Sequence, residues 1–438
     1  MKNYQVDLLK KIKFFFNSFN NDNYNPNKSS IFYLATYSNL IGSYILNSLA
    51  NYKKLNFFTN TKIIIKDIFY SLRYTDFKYE NLNYNFFYDK IIITWAFKEN
   101  FQSDGSLNDR YFNINSKKLK KTLWVVLYMS KDLPKNINKN IFLIKRVHNI
   151  KINIFPILIN LIKNIFLIFK DAKYYLASVS TDNYFSDIFL KQSKIFLNGE
   201  VKKVIMTYEG QVFQNKFINY IKKNYSKIKT IGYIHGAPMA LPSNYVFKHG
   251  SPDKILINGK DQDFCFRKHL GWKKNSIKIL PSFRFQKSDN KKKNIIFLPI
   301  SLLNIRLVID RLAFLHNKNF INLKNFTVKG HPVVLKEKKY IFLLKKFNSF
   351  ISMLNKKNKP LYKGDYLIFV GAGGAIIEAL ERGSNIIQIS EKPIFDVYSK
   401  KLYPTLIIKK IDSNIYTYKL KKKGNLIKFG NKKNNLKY

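Results

Sequence analysis

FVGAGGAIIEALERGSNIIQI, residues 369–389, reads as a strand, a glycine turn, a helix and a second strand. That order is half of a nucleotide-binding Rossmann unit. Gly371, Gly373 and Gly374 let the backbone approach a phosphate closely, and the helix expected from Ala375 aims its free N–H groups and positive end at the same place. A diphosphate fits there. Glu378 falls one turn into that helix, where a carboxylate can accept hydrogen bonds from both hydroxyls of a ribose. The stretch therefore suggests a nucleotide-sugar site, although tight packing in an ordinary α/β domain asks for the same glycines.

Upstream, FTVKGHPVV at 326–334 is a short β-rich run that delivers His331 to a loop. Proline fixes the chain after the histidine and Gly330 opens the turn before it, so the imidazole is expected at the carboxyl end of a strand, with Lys329 adding charge for a phosphate. Two more strand-to-loop motifs precede it: Lys203–Thr207 runs into Tyr208-Glu209-Gly210, and Lys229–Ile234 runs into His235-Gly236-Ala237-Pro238. Polar motifs at adjacent strand ends define one cleft. Glu209 is placed to act as a base with a raised pKa, and His235 is its rival, orienting an acceptor or serving as the base itself. Asp109 and Arg110, before Tyr111-Phe112, form either an acceptor-side loop or a structural salt bridge. Arg284, beside the expected hinge, can reach a phosphate or an acidic sugar, or be plain surface charge.

Taken in order, Tyr208-Glu209-Gly210, His331-Pro332 and Gly371–Gly374 resemble the acidic-Gly motif, HP motif and nucleotide loop of GT-B glycosyltransferases, more narrowly the bacterial surface-polysaccharide enzymes that include sialyltransferases and polysialyltransferases. Tyr208 stands where those carry a first acidic residue, and glycines with Ala372 stand where they carry paired serines. A second resemblance, to surface carbohydrate biosynthesis proteins, rests on Ser103-Asp104-Gly105, Asp109–Phe112, TYEGQ at 207–211 and GYIHG at 232–236. The resemblance implies two Rossmann-like domains with parallel sheets facing a cleft. It implies metal-independent, inverting transfer of a sugar to capsule, O-antigen or lipopolysaccharide, with Glu209 as base and His331 on the donor phosphate or leaving group. A teichoic-type polyol-phosphate transferase and a noncatalytic membrane-associated scaffold are the alternatives.

At 438 residues the chain suits two domains: 1–287 on the acceptor side, 288–410 on the donor side, and a basic tail over 411–438 whose residues 418–438 read as frayed. The linker is SDNKKKN at 288–294. A formal charge of +50 ordinarily points to nucleic acid or an anionic membrane. Here the lysines are scattered, and Lys, Asn, Ile, Phe and Tyr dominate together as codon bias produces, so nucleic acid is not expected. An anionic membrane surface stays open, through Phe14-Phe15-Phe16 beside Lys10, Lys11 and Lys13, or through an interfacial or core helix at 152–169. The single Cys265 forbids an internal disulfide, and the absence of a signal-peptide pattern suggests cytoplasmic residence, peripheral on the inner face of the plasma membrane. No cofactor is expected beyond the nucleotide-sugar donor, with a lipid-linked or polysaccharide acceptor. Asp261 and Asp263 have metal-motif spacing but sit after Gly259 where helix capping explains them. Strands are also expected at 31–35, 63–65, 90–94, 119–128, 254–257, 276–280 and 295–299, and helices at 40–52 and 308–316.

Overall fold

The computed structural model describes residues 4–21, 40–51, 61–67, 76–80, 87–147, 159, 162, 182–287, 294–335, 337–355, 360–362 and 364–431. Helices α1 (Tyr4–Asn21) and α2 (Leu40–Asn51) open the chain. An eight-stranded sheet follows, from β1 (Asp76–Glu80), β2 (Lys90–Ala96), β5 (Thr122–Tyr128), β6 (Ile141–Val147), β7 (Lys203–Thr207), β8 (Lys229–Tyr233), β9 (Lys254–Ile257) and β10 (Ile277–Ile279). The short pair β3 (Asn108–Asp109) and β4 (Ile114–Asn115) hangs from it, and α3 (Asp182–Phe196), α4 (Val212–Asn224) and α5 (Lys260–Lys268) supply crossovers. Strand order is β1-β6-β5-β2-β7-β8-β9-β10, parallel except at the β1 edge. A parallel sheet must be covered on both faces, and β5, TLWVVLY, is buried at every position.

The second sheet runs β12-β11-β13-β14-β16-β15, from β11 (Ile295–Phe297), β12 (Thr327–Lys329), β13 (Tyr366–Val370), β14 (Asn385–Ile389), β15 (Leu406–Asp412) and β16 (Ile415–Leu420). Its first four strands are parallel and its last two antiparallel. Helices α6 (Ile305–Asn317), α7 (Lys338–Ser352), α8 (Gly374–Glu381) and the short α9 (Pro393–Asp396) complete it. The molecule is thus built from two Rossmann-like α/β units, the GT-B architecture.

Both sheets reverse direction once. In the first, the chain lays β5 and β6 on one side of β2 and then returns to place β7 on the other; in the second, β12 lies on one side of β11 and β13 on the other. Crevices at the carboxyl ends of such strand pairs are where open α/β sheets take ligands. Thr207 and Phe297–Val370 therefore point to the places where a site belongs.

Several expectations are corrected. Residues 61–67 are helical, with Ile64 and Asp67 buried and Ile65 outward; three consecutive isoleucines carry no period that separates helix from strand. The stretch expected as a basic tail from 411, frayed from 418, holds most of the β15–β16 pair, turned at Asn414 with φ 66°, and then recrosses to the first unit. There Asp261 N–H donates to the Asn425 carbonyl at 2.9 Å, Lys428 N–H to Asn258 and Ser282 N–H to Lys428, both at 2.7 Å. Residues 432–438 lie outside the described residues, as do 31–35, 288–293 and, save 159 and 162, the segment 152–169. The bilayer reading of α1 fails for Phe15 and Phe16, which are buried with Leu8, Leu9 and Ile12 in a core shared with Tyr398 and Val397; of the three phenylalanines only Phe14 is exposed. Gln5 ties this helix to the second unit through the carbonyls of Ile394 and Val397. Among the described residues no helix is long and apolar enough to cross a membrane.

Candidate functional site

Glu209 leaves the end of β7 on a loop with no slack. Gln214, in the first turn of α4, accepts N–H bonds from Glu209 at 2.9 Å and Gln211 at 3.1 Å and donates to the Thr207 carbonyl at 2.6 Å. Asn215 donates to the Gly210 carbonyl at 2.9 Å and accepts from Tyr208 Oη at 2.8 Å. Gly210 has φ +70°, and a Cβ there would lie 2.2 Å from the Asn244 carbonyl oxygen, so both its backbone and its surroundings require glycine.

The loop brings Glu209 Oε1 to 3.3 Å from His235 Nε2. Oε2 accepts from Gln211 Nε2 at 2.5 Å. Burial opposes the charge on Glu209, but hydrogen bonds from His235 and Gln211, with the fields of His235 and Arg284, outweigh it and hold the carboxyl below its usual range. The raised pKa expected from sequence is corrected: desolvation is present, and the partners exceed it. His235 is 5 % exposed, its Nδ1 is buried without a hydrogen-bond partner among the described residues, and its ring meets Tyr111 edge to face at 4.4 Å between centroids.

Asp109 and Arg110 do not form a salt bridge with each other. Asp109 turns inward and is buried, accepting from Tyr111 N at 2.8 Å, Phe112 N at 2.6 Å and Thr94 Oγ1 at 2.5 Å. Burial raises its pKa against those bonds. It builds the turn that presents Tyr111, whereas Arg110 is exposed, lying 4.7 Å from the Phe97 ring and donating to Tyr111 Oη at 3.0 Å. Arg284 reaches the same ring, its guanidinium 5.5 Å from the Tyr111 centroid. Five residues picked out of the sequence thus gather at the first switch point.

At the second switch point the glycine turn has the expected form, the helix starting at Gly374 rather than Ala375. Gly371 has φ +72°, and the nearest atom to its Cβ position is Pro299 Cγ at 3.8 Å. Gly373 is extended at φ −170°, and a Cβ added there meets nothing within 4 Å. The turn is open on the face a phosphate would use. Gly374 packs the other way, its Cβ position 3.1 Å from Ala237 Cβ, which sets the glycine turn directly against the His235 loop. Tyr398 Oη bridges the same two loops, 2.9 Å from the Pro238 carbonyl and 3.2 Å from that of Gly373.

His331 follows β12, one strand beyond β11. Its N–H donates to Tyr340 Oη at 3.1 Å, which donates to the Pro299 carbonyl at 2.7 Å, pinning the HP turn to the switch point. Burial lowers the His331 pKa. Lys329 is exposed, and a Cβ on Gly330 would collide with Tyr340 at 2.4 Å. Glu378 Oε1 receives both Nε and Nη2 of Arg382, at 3.1 and 3.0 Å. A ribose would find it already in an ion pair.

Asp261 and Asp263 do not cap α5. Asp261 accepts from Thr405 of the second unit, at 2.9 Å for N–H, and Asp263 pairs with Arg267. Cys265 is buried and beside Tyr403, its pKa raised by desolvation. Among the described residues no group of three or more His, Cys, Asp or Glu is placed to hold a metal ion. Sequence reasoning missed Gln214, Tyr340 and Tyr398. Only Gln214 left a signal, as a glutamine at the third position of a helix after a polar cap.

No protein-family model matches the chain, and no curated protein matches it. Among solved structures, the Staphylococcus aureus MnaA–UDP co-structure is similar over 70 % of this chain and 81 % of its own, at 11 % identity and a TM-score of 0.35. UGT89C1 of Arabidopsis thaliana is similar over 70 % and 73 %, at 12 % identity and a TM-score of 0.28. Both likenesses are distant, and the architecture rests on the sheet orders themselves.

Proposed function

We propose that this chain is a GT-B glycosyltransferase that moves a sugar from a nucleotide-sugar to a cell-surface polysaccharide or lipid-linked acceptor. One observation carries the reading: the open glycine turn and the Glu209–His235 pair occupy the switch points of two facing sheets and are packed loop against loop through Gly374 and Ala237.

In this scheme the donor diphosphate lies on Gly371, Gly373 and Gly374 at the start of α8, whose unpaired N–H groups meet its charge. Lys329 adds positive charge, His331 offers a ring N–H to the leaving phosphate, and Glu378 holds the ribose with its second oxygen. Glu209 takes the proton of the acceptor hydroxyl while that oxygen forms its bond to the anomeric carbon. The bond to the diphosphate breaks, and the pair of electrons leaves with the nucleotide. His235 steadies the carboxylate that receives the proton. A membrane-side location agrees with the charge of +50. The noncatalytic alternative fits poorly with a carboxylate held ionised beside a histidine.

The test is nucleotide binding by calorimetry, with UDP, CDP, CMP and GDP as probes, on the native chain and on Gly373→Val. The extended backbone and open Cβ position accept valine, so the fold stays, and the side chain fills the phosphate space. Loss of binding with an unchanged melting curve is expected. A folded variant that binds as the native chain does, or a native chain that binds none of the four, refutes the donor site.

A further inference from the structure

The chain carries 69 lysines and only 8 arginines. Lysine is the default cation of this sequence, so the positions that hold arginine are informative. Among the described arginines, Arg267, Arg311 and Arg382 are spent in ion pairs with Asp263, Asp412 and Glu378. Arg306 is exposed on α6. Arg110 makes no ion pair among the described residues, Arg284 acts on the Glu209 carboxylate through its field, and both rest on one aromatic ring, Tyr111, at 5.0 and 5.5 Å from its centroid. Each is braced by a second ring, Phe97 for Arg110 at 4.7 Å and Phe285 for Arg284 at 5.4 Å.

A guanidinium held over a ring keeps N–H groups for a ligand, and beyond the Arg110 Nη2 that donates to Tyr111 Oη those groups match the two oxygens of a carboxylate or phosphate. The platform is rigid: Asp109, buried, fixes the Tyr111 turn, and Tyr111 itself lies against His235. The two forks thus reach the Glu209–His235 pair through the Tyr111 ring they share, and Arg284 acts on Glu209 directly through its field.

We propose that Arg110 and Arg284 form an oxyanion clamp, and that the acceptor of this enzyme carries a carboxylate or phosphate group next to the hydroxyl that is glycosylated. The inference rests on reading this cleft as the acceptor site. It narrows the acceptor to acidic glycans.

Arginine-to-lysine changes test it, because they keep the net charge and remove only the fork. Binding of four probes to the full chain is measured by calorimetry at constant salt: an oligogalacturonate, a phosphorylated oligomannose, neutral maltohexaose and phosphatidylglycerol vesicles, with UDP as the donor-side control. At least one acidic oligosaccharide should bind about tenfold more tightly than maltohexaose, and the double variant Arg110→Lys, Arg284→Lys should lose about that factor. UDP affinity and the melting temperature should not move. Which probe loses affinity identifies the carboxylate or the phosphate as the recognised group. Unchanged acidic-glycan binding in the variant would show attraction by overall charge and overturn the clamp. So would equal binding of maltohexaose, loss confined to the vesicles, or loss of UDP binding alone, which would move the arginines to the donor. Failure of the native chain to bind any of UDP, CDP, CMP and GDP would strike the donor site and leave the clamp result readable by itself.

Discussion

Gly210→Ala and Gly236→Ala change two glycines that follow a candidate catalytic residue and look alike in the sequence, yet the structure assigns them opposite outcomes. At Gly210 an alanine must adopt φ +70°, which costs about 1–2 kcal/mol for an L-residue. Its Cβ also falls 2.2 Å from the Asn244 carbonyl oxygen and 2.9 Å from the carbonyl carbon, both backbone atoms, so the loop or the 243–245 turn has to shift. Overpacking of that kind costs about 1–3 kcal/mol, giving a total near 2–5 kcal/mol against the roughly 5–15 kcal/mol that holds a domain together. At Gly236 nothing lies within 4 Å of the added Cβ and φ is outside the left-handed region, so alanine is neutral or stabilises by about 0.4–1 kcal/mol through the unfolded chain. Urea unfolding followed by tryptophan fluorescence is the assay, since Trp95, Trp124 and Trp272 all lie in the first unit and report on its sheet. The midpoint of Gly210→Ala should fall sharply at constant slope while that of Gly236→Ala stays within error. Equal behaviour of the two variants, or a Gly210→Ala loss under about 1 kcal/mol, refutes the claim that the Glu209 loop is locked by Asn244.

Glu209→Gln should lower turnover about 100-fold with donor affinity intact, and a near-normal rate with a dead His235→Ala variant would move the base to His235. Because the folded pKa of Glu209 is depressed below its unfolded value of 4.5, its stabilisation is present above that value and lost as pH falls through the folded pKa. The glutamine variant should accordingly show a flatter acid limb in stability measured from pH 6 to 3. Lys248, buried against Phe16 and hydrogen-bonded to the Asn244 carbonyl, has its pKa pushed by burial from 10.5 down to about 7. The unfolded chain then holds more protons than the folded one between those values, so stability should rise from pH 7 to 9, and Lys248→Met should abolish that rise. Glu378→Ala should weaken donor binding by about 1–3 kcal/mol while the fold survives, and an unchanged dissociation constant in calorimetry would leave Glu378 as the partner of Arg382 alone.

The parallel core and the glycine turn were legible because a strand buried on both faces is written as a continuous apolar run, and because such runs here end in glycine, proline or a polar motif. Glu209, His235 and His331 could be placed at strand ends for that reason. Their grouping could not: Arg110 and Arg284 meet on Tyr111 only because β2 and β10 belong to one sheet whose order no local pattern encodes. Asp261 reads as a cap and is a tie to Thr405, since a carboxylate after a glycine has the same local spelling in either role. The β15–β16 pair was hidden by its lysines, though YTYKL in β16 alternates as a half-buried antiparallel strand should.

Gln5 finds its acceptors at residues 394 and 397, a separation of 389 and 392 positions. A ribosome adding about 5–20 residues per second needs on the order of 20–80 s to cover that distance. For that time the start of α1 lacks the partner that finally seats it, while Leu8, Leu9, Phe15 and Phe16 wait for the rest of the core they share with Val397 and Tyr398. Helix α1, made well ahead of its partners, is thus among the last elements to be fully docked, and during synthesis this chain depends on whatever shields a greasy, basic nascent segment in the meantime.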